Sequence, residues 1–239
     1  MVNPVFFVQH FLLLALIFPV CAMASECFPG PDKEKDQYLV VYGNYFYDQA
    51  RHESLSDMQQ DIPVWVNDYK RGWFSRSKPE AIKITQLGVV PSPGIRFNGL
   101  LAKLNPGTLK SMDSHEKYSC RIKVDPSKFQ PMTHKKVDND GEYWVYQTKK
   151  KQKLSPAANF PIYQSQVDQF LTGCIEQAER FKLSEFADEC MKTTHNWSPS
   201  WSNDRMRPIF GKSVQGRREQ VNKLLIKYQS EYFGAIKAE

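Results

Sequence analysis

Apolar and polar residues alternate at short intervals through the middle of the chain, a pattern typical of β-strands. Six runs rich in β-branched and aromatic residues lie at residues 38–42, 63–69, 81–90, 96–104, 118–124 and 142–148. Such runs, bounded by turn-forming residues, predict strands. The cluster Pro91-Ser92-Pro93-Gly94 predicts a break between the third and fourth strands, and the Asp- and Gly-containing segment 138–141 predicts a turn before the sixth.

The spacing of apolar residues lengthens to that of helices after Pro161. The members of this pattern are Val167, Phe170, Leu171, Cys174, Ile175, Ala178 and Phe181. They predict an amphipathic helix of about four turns, then a second helix capped by Ser184 and a last one over 217–235. Short helices are also predicted at 51–60 and at 108–116, the latter with Thr108 as its N-cap.

Together these elements predict an α+β fold. Its core is a small mixed or antiparallel six-stranded β-barrel, closed or nearly closed, with short helices. We expect the barrel domain at 38–155, a charged lead-in at 25–37, and a helical extension at 156–239 that packs on the barrel.

The N-terminal segment is predicted to be a signal peptide. Residues 1–24 contain no Lys, Arg, Asp or Glu, and an apolar run at 11–20 is followed by Ala22-Met23-Ala24. An apolar stretch before small residues is typical of signal peptidase sites, which places cleavage after Ala24. A membrane span needs about 20 apolar residues, and Gln9 and His10 interrupt this one. An uncleaved anchor is the alternative; a lipid anchor on Cys21 is disfavoured because no small residue precedes it at 18–20.

This segment predicts a protein that is exported, either to the periplasm or into the medium, with no membrane attachment after removal of the signal. The composition is that of a globular protein, with 41% hydrophobic and 24% charged residues. The net charge of +6 is spread along the chain apart from 149–151 and 217–218. Because aromatic and basic residues are not interleaved, we expect a solvated basic surface and no nucleic-acid partner.

Four cysteines remain after cleavage, and they allow three pairings. Cys174 and Cys190 lie nine residues before and seven after Leu183. In an antiparallel helix hairpin these positions reach similar heights, so a Cys174–Cys190 disulfide is geometrically feasible. The alternative is that Cys120 and Cys174 are small buried thiols.

Several familiar kinds of active site are not supported by the sequence. There is no Gly-rich phosphate loop, no metal-ligand spacing of histidines, no Cys-x-x-Cys pair and no nucleophile elbow. We therefore expect no cofactor. Two weaker features remain: the strand-to-loop transition Tyr42-Gly43-Asn44-Tyr45, whose backbone can bind an anion, and Glu116, a carboxylate between a helix and a strand. Taken singly, they also fit a plain turn and a solvated side chain.

In this order, however, the two features resemble the gamma-glutamylcyclotransferases. The segment 42–44 is similar to the family's Tyr-Gly-Ser loop, and Met112-Asp113-x-x-Glu116-x-Tyr118 resembles its Leu-Asp-x-x-Glu-x-Tyr motif. Further resemblances lie at 69–73, with Arg71-Gly72-Trp73, in the glycine-marked strand pair 87–101, and in the helical tail of one subgroup at 161–174, 193–197 and 203–205. The likeness covers residues 38–210. One departure is Asn44, where the family has Ser.

The resemblance implies an activity and a set of site residues. The family releases 5-oxoproline from a small γ-glutamyl compound, because the substrate's α-amine attacks its own γ-carbonyl. The family's catalytic residue corresponds to Glu116, which we expect in a pocket that raises its pKa. The substrate-binding residues implied are Tyr42, Gly43, Asn44, Tyr45, Tyr118, Tyr146 and Arg71. For the two later tyrosines core packing is an equal alternative. Arg71 could pair with a carboxylate, but a structural role is favoured for it.

Three other functions are compatible with the same residues. The fold could serve a non-catalytic binding module, which the substitution at Asn44 favours and the intact Glu116 disfavours. The enzyme could act on γ-glutamyl amines or crosslinks instead of dipeptides. The helical tail at 161–239 could be an interaction surface.

Overall fold

The computed structural model describes residues 27–54, 61–209, 214, 216–234 and 236; the predicted signal peptide at 1–24 and Cys21 lie outside this part of the chain. The strands are β1 (Gln37–Val41), β2 (Asp61–Ser77), β3 (Ile84–Leu104), β4 (Ser119–Val124), β5 (Phe129–Pro131), β6 (Glu142–Thr148), β7 (Ile162–Tyr163), β8 (Thr194–His195) and β9 (Trp201–Ser202). The helices are α1 (Asp48–Ser54), α2 (Pro106–His115), α3 (Gln164–Phe181), α4 (Phe186–Lys192) and α5 (Arg218–Phe233).

One mixed sheet forms the centre of the molecule. Its strand order is β4-β6-β1-β3-β2-β5, and β8 pairs with β2 as a seventh strand. The pairs β1–β6 and β2–β8 are parallel, and the others are antiparallel. Strands β7 and β9 form a separate parallel pair. The predicted α+β class is therefore confirmed, with seven strands in the main sheet instead of six.

Both faces of this sheet are buried, which explains the unbroken apolar run in β1. Leu39 and Val41 belong to a core shared with α3 and α4, whereas Tyr38 and Val40 face a second core. Every fully buried residue of this second core comes from strands β1–β6, so the sheet wraps around its own side chains. Within the described residues no pairing joins the edge strands β4 and β5, so the predicted closure into a barrel is not detected.

Strands β2 and β3 form one long hairpin, and here the predicted break at 91–94 is wrong. The backbone of β3 runs through the two prolines as a single strand of 21 residues. The extra residues are absorbed by a bulge, because Arg96 pairs with Asn67 while Pro91 pairs with Tyr69. The Asp68 carboxylate accepts a hydrogen bond from the Gly94 N–H at 2.9 Å and holds the bulge.

Helix α2 begins earlier than its predicted N-cap. The cap is Asn105, whose side chain accepts a hydrogen bond from the Thr108 N–H at 2.9 Å. Pro106 therefore occupies the first turn, where its missing N–H is harmless. Helix α4 likewise begins after Glu185, not Ser184. Helix α1 covers part of the predicted helix at 51–60, of which residues 55–60 lie outside the described chain.

Helix α3 is embedded in the molecule, with 13 of its 18 residues buried. Phe170 stacks on Phe46, and Gln177 donates a hydrogen bond to the Phe46 carbonyl at 2.7 Å. Gly173 lies so close to the same segment that a Cβ there would collide with the backbone nitrogen of Tyr47. The helix therefore rests directly on the backbone that follows β1.

Two disulfides cross-link the described part of the chain. Cys174 of α3 bonds Cys190 of α4, the pair that the helix-hairpin geometry allows, and Cys27 bonds Cys120 of β4. The alternative of buried thiols at Cys120 and Cys174 is wrong. In the described part of the chain, no helix has both the length and the apolar character needed to cross a membrane.

Candidate active site

A cavity of about 420 Å³ opens beside the first turn of chain after β1. Its walls come from the 3₁₀ turn Gly43–Phe46, the junction of α2 and β4, strands β2, β3 and β6, and helix α3. Seven of the residues predicted for the site line it: Tyr42, Gly43, Asn44, Tyr45, Glu116, Tyr118 and Tyr146. The fold therefore brings together segments separated by about a hundred residues in the sequence.

Glu116 is positioned by the way in which α2 ends. Leu109 and Met112 anchor the helix in the core, and Glu116 is its C-cap, with its N–H bonded to the Asp113 carbonyl at 3.3 Å. The Glu116 carbonyl in turn accepts a hydrogen bond from the Ser119 N–H, which starts β4. The side chain is thus presented at a sharp corner between two anchored elements.

Burial raises the pKa of the Glu116 carboxyl above its ordinary value of 4.5. The nearby negative charge of Asp113 raises it further, while a hydrogen bond from Ser119 and the positive charges of His115 and Lys149 offset part of the rise. A carboxyl with a raised pKa is both a better base and a usable acid near neutral pH.

Three tyrosines surround this carboxyl. The Tyr42 hydroxyl donates a hydrogen bond to the Tyr146 carbonyl at 2.5 Å. Burial, together with the charge of Glu116, raises the pKa of Tyr42 and of Tyr146, and that of Tyr45 to about 12. All three phenols therefore remain protonated at neutral pH. The protons of Tyr42 and Tyr146 are donated within the protein, so these two hydroxyl oxygens are left as hydrogen-bond acceptors.

Behind the site lies a buried ion pair. Arg121 donates to both carboxylate oxygens of Asp113, at 2.9 and 3.0 Å, and its guanidinium stacks 4.4 Å from the Trp144 ring. The Tyr146 hydroxyl donates to the same carboxylate at 2.9 Å, which fixes the direction of that phenol. Asp113 therefore orients the Tyr146 hydroxyl and also places a negative charge near Glu116.

The turn Gly43–Phe46 owes its shape to Gly43. Its φ of +76° lies in the left-handed region, which costs other residues energy. Asn44 closes the turn, since its carbonyl accepts the Tyr47 N–H at 3.1 Å. The turn is pressed between Leu87 of β3 and Gly173 of α3, so its backbone is supported from both sides.

The sequence did not predict the part of the cavity wall that lies outside the segment of Glu116 and the turn Gly43–Phe46. It comprises residues of β2, β3 and α3: Ser75, Gln86, Leu87, Gln166 and Gln169. Gln166 and Gln169 are buried, although they are polar residues within an amphipathic helix. The one available signal was that the predicted helix carries glutamines beside its apolar face, and this signal is too common to be specific.

Arg71 does not line the cavity, and its predicted contact with substrate is wrong. The side chain is fully buried in the core and donates hydrogen bonds to Thr194 Oγ1 and to the Asn98 carbonyl, at 2.9 and 2.7 Å. It also reaches the Cys190 carbonyl at 3.2 Å, and burial lowers its pKa to about 9. Its polar partners in the described chain are hydroxyl and carbonyl oxygens, so the structural alternative describes it best.

No group of three or more His, Cys, Asp or Glu side chains in the described chain is arranged to hold a metal ion. No protein-family profile matches the chain, and no curated protein sequence matches it either. Solved structures do match it. One named gamma-glutamyl cyclotransferase superposes with a TM-score of 0.52 at 14% identity, covering 79% of this chain and 99% of that one.

Two other structures have lower scores. An uncharacterized protein from Homo sapiens has a TM-score of 0.43 at 12% identity, covering 79% of this chain and 99% of its own. A yeast gamma-glutamyl cyclotransferase described as specific to glutathione has a TM-score of 0.40 at 9% identity, covering 66% and 97%. The first structure, with its TM-score of 0.52, shows that the chain has a gamma-glutamylcyclotransferase-like fold, as the motifs predicted; at 14% identity the likeness concerns the fold alone.

Proposed function

We propose that this chain, with its gamma-glutamylcyclotransferase-like fold, is a gamma-glutamylcyclotransferase that works after export. It would convert a small γ-glutamyl compound into 5-oxoproline and a free amine or amino acid. The observation that carries the proposal is Glu116, a carboxyl with a raised pKa in a cavity shared with the turn Gly43–Phe46 and with tyrosine hydroxyls.

In the proposed step the substrate's α-nitrogen bonds to its own γ-carbonyl carbon, and the bond from that carbon to the leaving nitrogen breaks. Glu116 takes a proton from the α-amine and returns one to the leaving nitrogen, so it ends as it began. Because both reacting groups belong to one molecule, the protein has only to hold the chain folded and move the proton. This chemistry requires no metal or organic cofactor.

The other cavity residues have supporting roles in this proposal. The backbone of 42–45 would bind the glutamyl carboxylate or the developing oxyanion. The Tyr118 hydroxyl would donate a hydrogen bond to the substrate, and the Tyr146 hydroxyl oxygen, whose proton is donated to Asp113, would accept one. Asn44 replaces the family's Ser, and it suits the site if its backbone, not its side chain, makes the contact.

Export is part of the same proposal. The two disulfides support it, because such bonds persist mainly in oxidising compartments. We expect the mature protein, recovered from periplasm or culture medium, to begin at Ser25. N-terminal sequencing or intact-mass measurement tests this, and retention of residues 1–24 in the mature protein would favour the uncleaved anchor.

The activity is tested with protein exported through its own N-terminal segment and purified with its disulfides intact. Wild type and Glu116→Gln are incubated with γ-glutamyl dipeptides, glutathione and γ-glutamyl amines, and 5-oxoproline is measured by mass spectrometry. We expect product from wild type and at least about a hundredfold less from Glu116→Gln. Glu219→Gln, a change on the surface of α5, is the matched control and should keep full activity.

Absence of 5-oxoproline from every substrate, with a folded protein, would refute the enzyme and favour a non-catalytic binding or interaction protein. Equal activity of wild type and Glu116→Gln would refute the assigned acid/base instead.

A further inference from the structure

One wall of the cavity is built from uncharged amides. Gln86 of β3 and Gln166 and Gln169 of α3 lie along it. Among the described residues that line the cavity, Glu116 is the only carboxylate. The three amides carry no charge, and their N–H groups can donate to an oxygen acceptor.

The hydrogen bonds of two of these amides leave their N–H groups for a ligand. The Ser77 hydroxyl donates to Gln86 Oε1 at 2.8 Å, so the Nε2 group of Gln86 is left to donate elsewhere. Gln166 is 2% exposed, and its Nε2 has no acceptor among the described residues. A buried donor without a partner is costly. Because Gln166 lines the cavity, a turn of its side-chain amide would let Nε2 donate to an oxygen of a molecule bound there and would remove that cost.

Gln166 is also firmly held. The residue before it, Ser165, is clamped by Asp204, which accepts from the Ser165 N–H at 2.8 Å and from its hydroxyl at 2.6 Å. This carboxylate caps α3 from a segment about forty residues later in the chain. The first turn of the helix, and with it Gln166, is therefore placed by tertiary contacts and not by local sequence.

We propose that Gln86 and Gln166 form the subsite for the leaving group and bind a carboxylate or carbonyl oxygen on it. This inference rests on the proposed function, in which the turn Gly43–Phe46 and the tyrosines hold the glutamyl half of the substrate. Gln86 and Gln166 then contact the half of the substrate that leaves as the free amine. The site selects γ-glutamyl compounds whose released amine carries an acceptor oxygen beside the nitrogen, over those that release a simple alkylamine.

The test uses γ-glutamylalanine and γ-glutamylethylamine, which differ only in the alanine carboxylate. We expect wild type to prefer the alanine compound in kcat/KM. Gln166→Met keeps the length of the side chain and should lower kcat/KM for that substrate about tenfold to a hundredfold, the range for hydrogen bonds to charged groups. The same variant should change kcat/KM for the ethylamine compound less than about twofold. Gln166→Glu should favour the ethylamine compound, since it repels a carboxylate.

Thr172→Val is the matched control, because Thr172 carries another unpartnered buried polar group of α3 away from the cavity. It should leave the substrate preference unchanged. Thermal unfolding of each variant shows that it is folded. If Gln166→Met reduces both substrates equally, or neither, the leaving-group subsite is refuted.

A binding measurement separates this inference from the proposed reaction. Titration calorimetry compares the two compounds on Glu116→Gln and on Glu116→Gln with Gln166→Met. Weaker binding of the alanine compound alone supports the subsite even if wild type forms no 5-oxoproline. Unchanged binding of both compounds, or binding of neither, overturns it.

Discussion

At the scale of single residues, the burial of the Glu116 carboxyl lowers the stability of the folded protein at neutral pH. Its folded-state pKa is raised, so the stability of the protein is full below the unfolded pKa near 4.5 and falls as the pH rises through the folded pKa. A glutamine cannot ionise and escapes this loss. We therefore expect Glu116→Gln to unfold at a higher temperature than wild type at pH 7.5, and the difference to vanish near pH 4.

Calorimetric scans at the two pH values measure this effect. A lower unfolding temperature for Glu116→Gln at pH 7.5 would contradict the assigned burial of a charged carboxylate.

Asp113 offers a second residue-level test, because its charge raises the pKa of Glu116. Removing that charge in Asp113→Asn should lower the pKa of Glu116, so the acidic limb of the kcat/KM profile should move to lower pH. The same change leaves the buried Arg121 without its counter-ion, and we expect a loss of stability of about 3–5 kcal/mol.

Glu219→Gln is the control, since Glu219 and Lys223 form a fully exposed pair whose loss should leave stability unchanged. Activity against pH and urea unfolding give the two readouts. If the acidic limb of the profile does not move, the charge of Asp113 does not raise the pKa of the group that controls activity.

The presence of Glu116 and of the turn residues in the cavity could be predicted from the sequence, because short contiguous motifs carry them. Arg71 shows the limit of such motifs: it stands in a motif, yet β2 turns its side chain into the core, toward Asn98. Gln166 shows the opposite limit. Its place in the cavity depends on how α3 docks, which no local pattern encodes.

At the scale of elements, the contact between α3 and the turn Gly43–Phe46 is tight enough to test. A Cβ at position 173 would collide with the carbonyl carbon of Phe46, so Gly173→Ala must push the helix or the turn aside. We expect a loss of stability of about 1–3 kcal/mol and a raised KM, since the turn borders the cavity.

Gly30→Ala is the matched control, because a Cβ added at Gly30 would meet no atom within 4 Å. Urea unfolding and steady-state kinetics measure both variants. Wild-type KM in Gly173→Ala would show that the turn does not depend on the helix.

Most strands could be predicted because their apolar runs are short and well bounded. The error at 91–94 has a physical cause: prolines that interrupt a regular strand are accommodated where a bulge leaves residues out of the ladder. The N-cap of α2 was misplaced for a simpler reason, namely that Asn105 and Thr108 are both good caps and only the hydrogen bond distinguishes them.

At the scale of the whole molecule, the two disulfides close loops of very different length. Cys27 and Cys120 are 93 residues apart, and Cys174 and Cys190 are 16 apart. From loop entropy we expect paired Cys→Ala variants to lose about 4–5 kcal/mol for the first bond and about 3 kcal/mol for the second. Urea unfolding of the two double variants measures this order, and a larger loss from the shorter loop would contradict it.

The overall class could be predicted from the sequence, but the arrangement of its strands could not. The parallel pairing of β1 with β6 and the addition of β8 to the sheet join residues far apart in the chain. Such pairings depend on tertiary packing, on which periodicity carries no information. The disulfide between Cys27 and Cys120 likewise could not be predicted from local sequence patterns.

Among the stretches of chain that wall the cavity, the one that carries Glu116 and the one that forms α3 are separate in the sequence. Random mutation therefore acts on them independently. If the chain has the proposed activity, changes in the helix can alter which amine is released while proton transfer is left intact, so natural selection can explore new substrates without passing through inactive ancestors. Among descendants of one such gene, we expect α3 to diverge before the corner that holds Glu116.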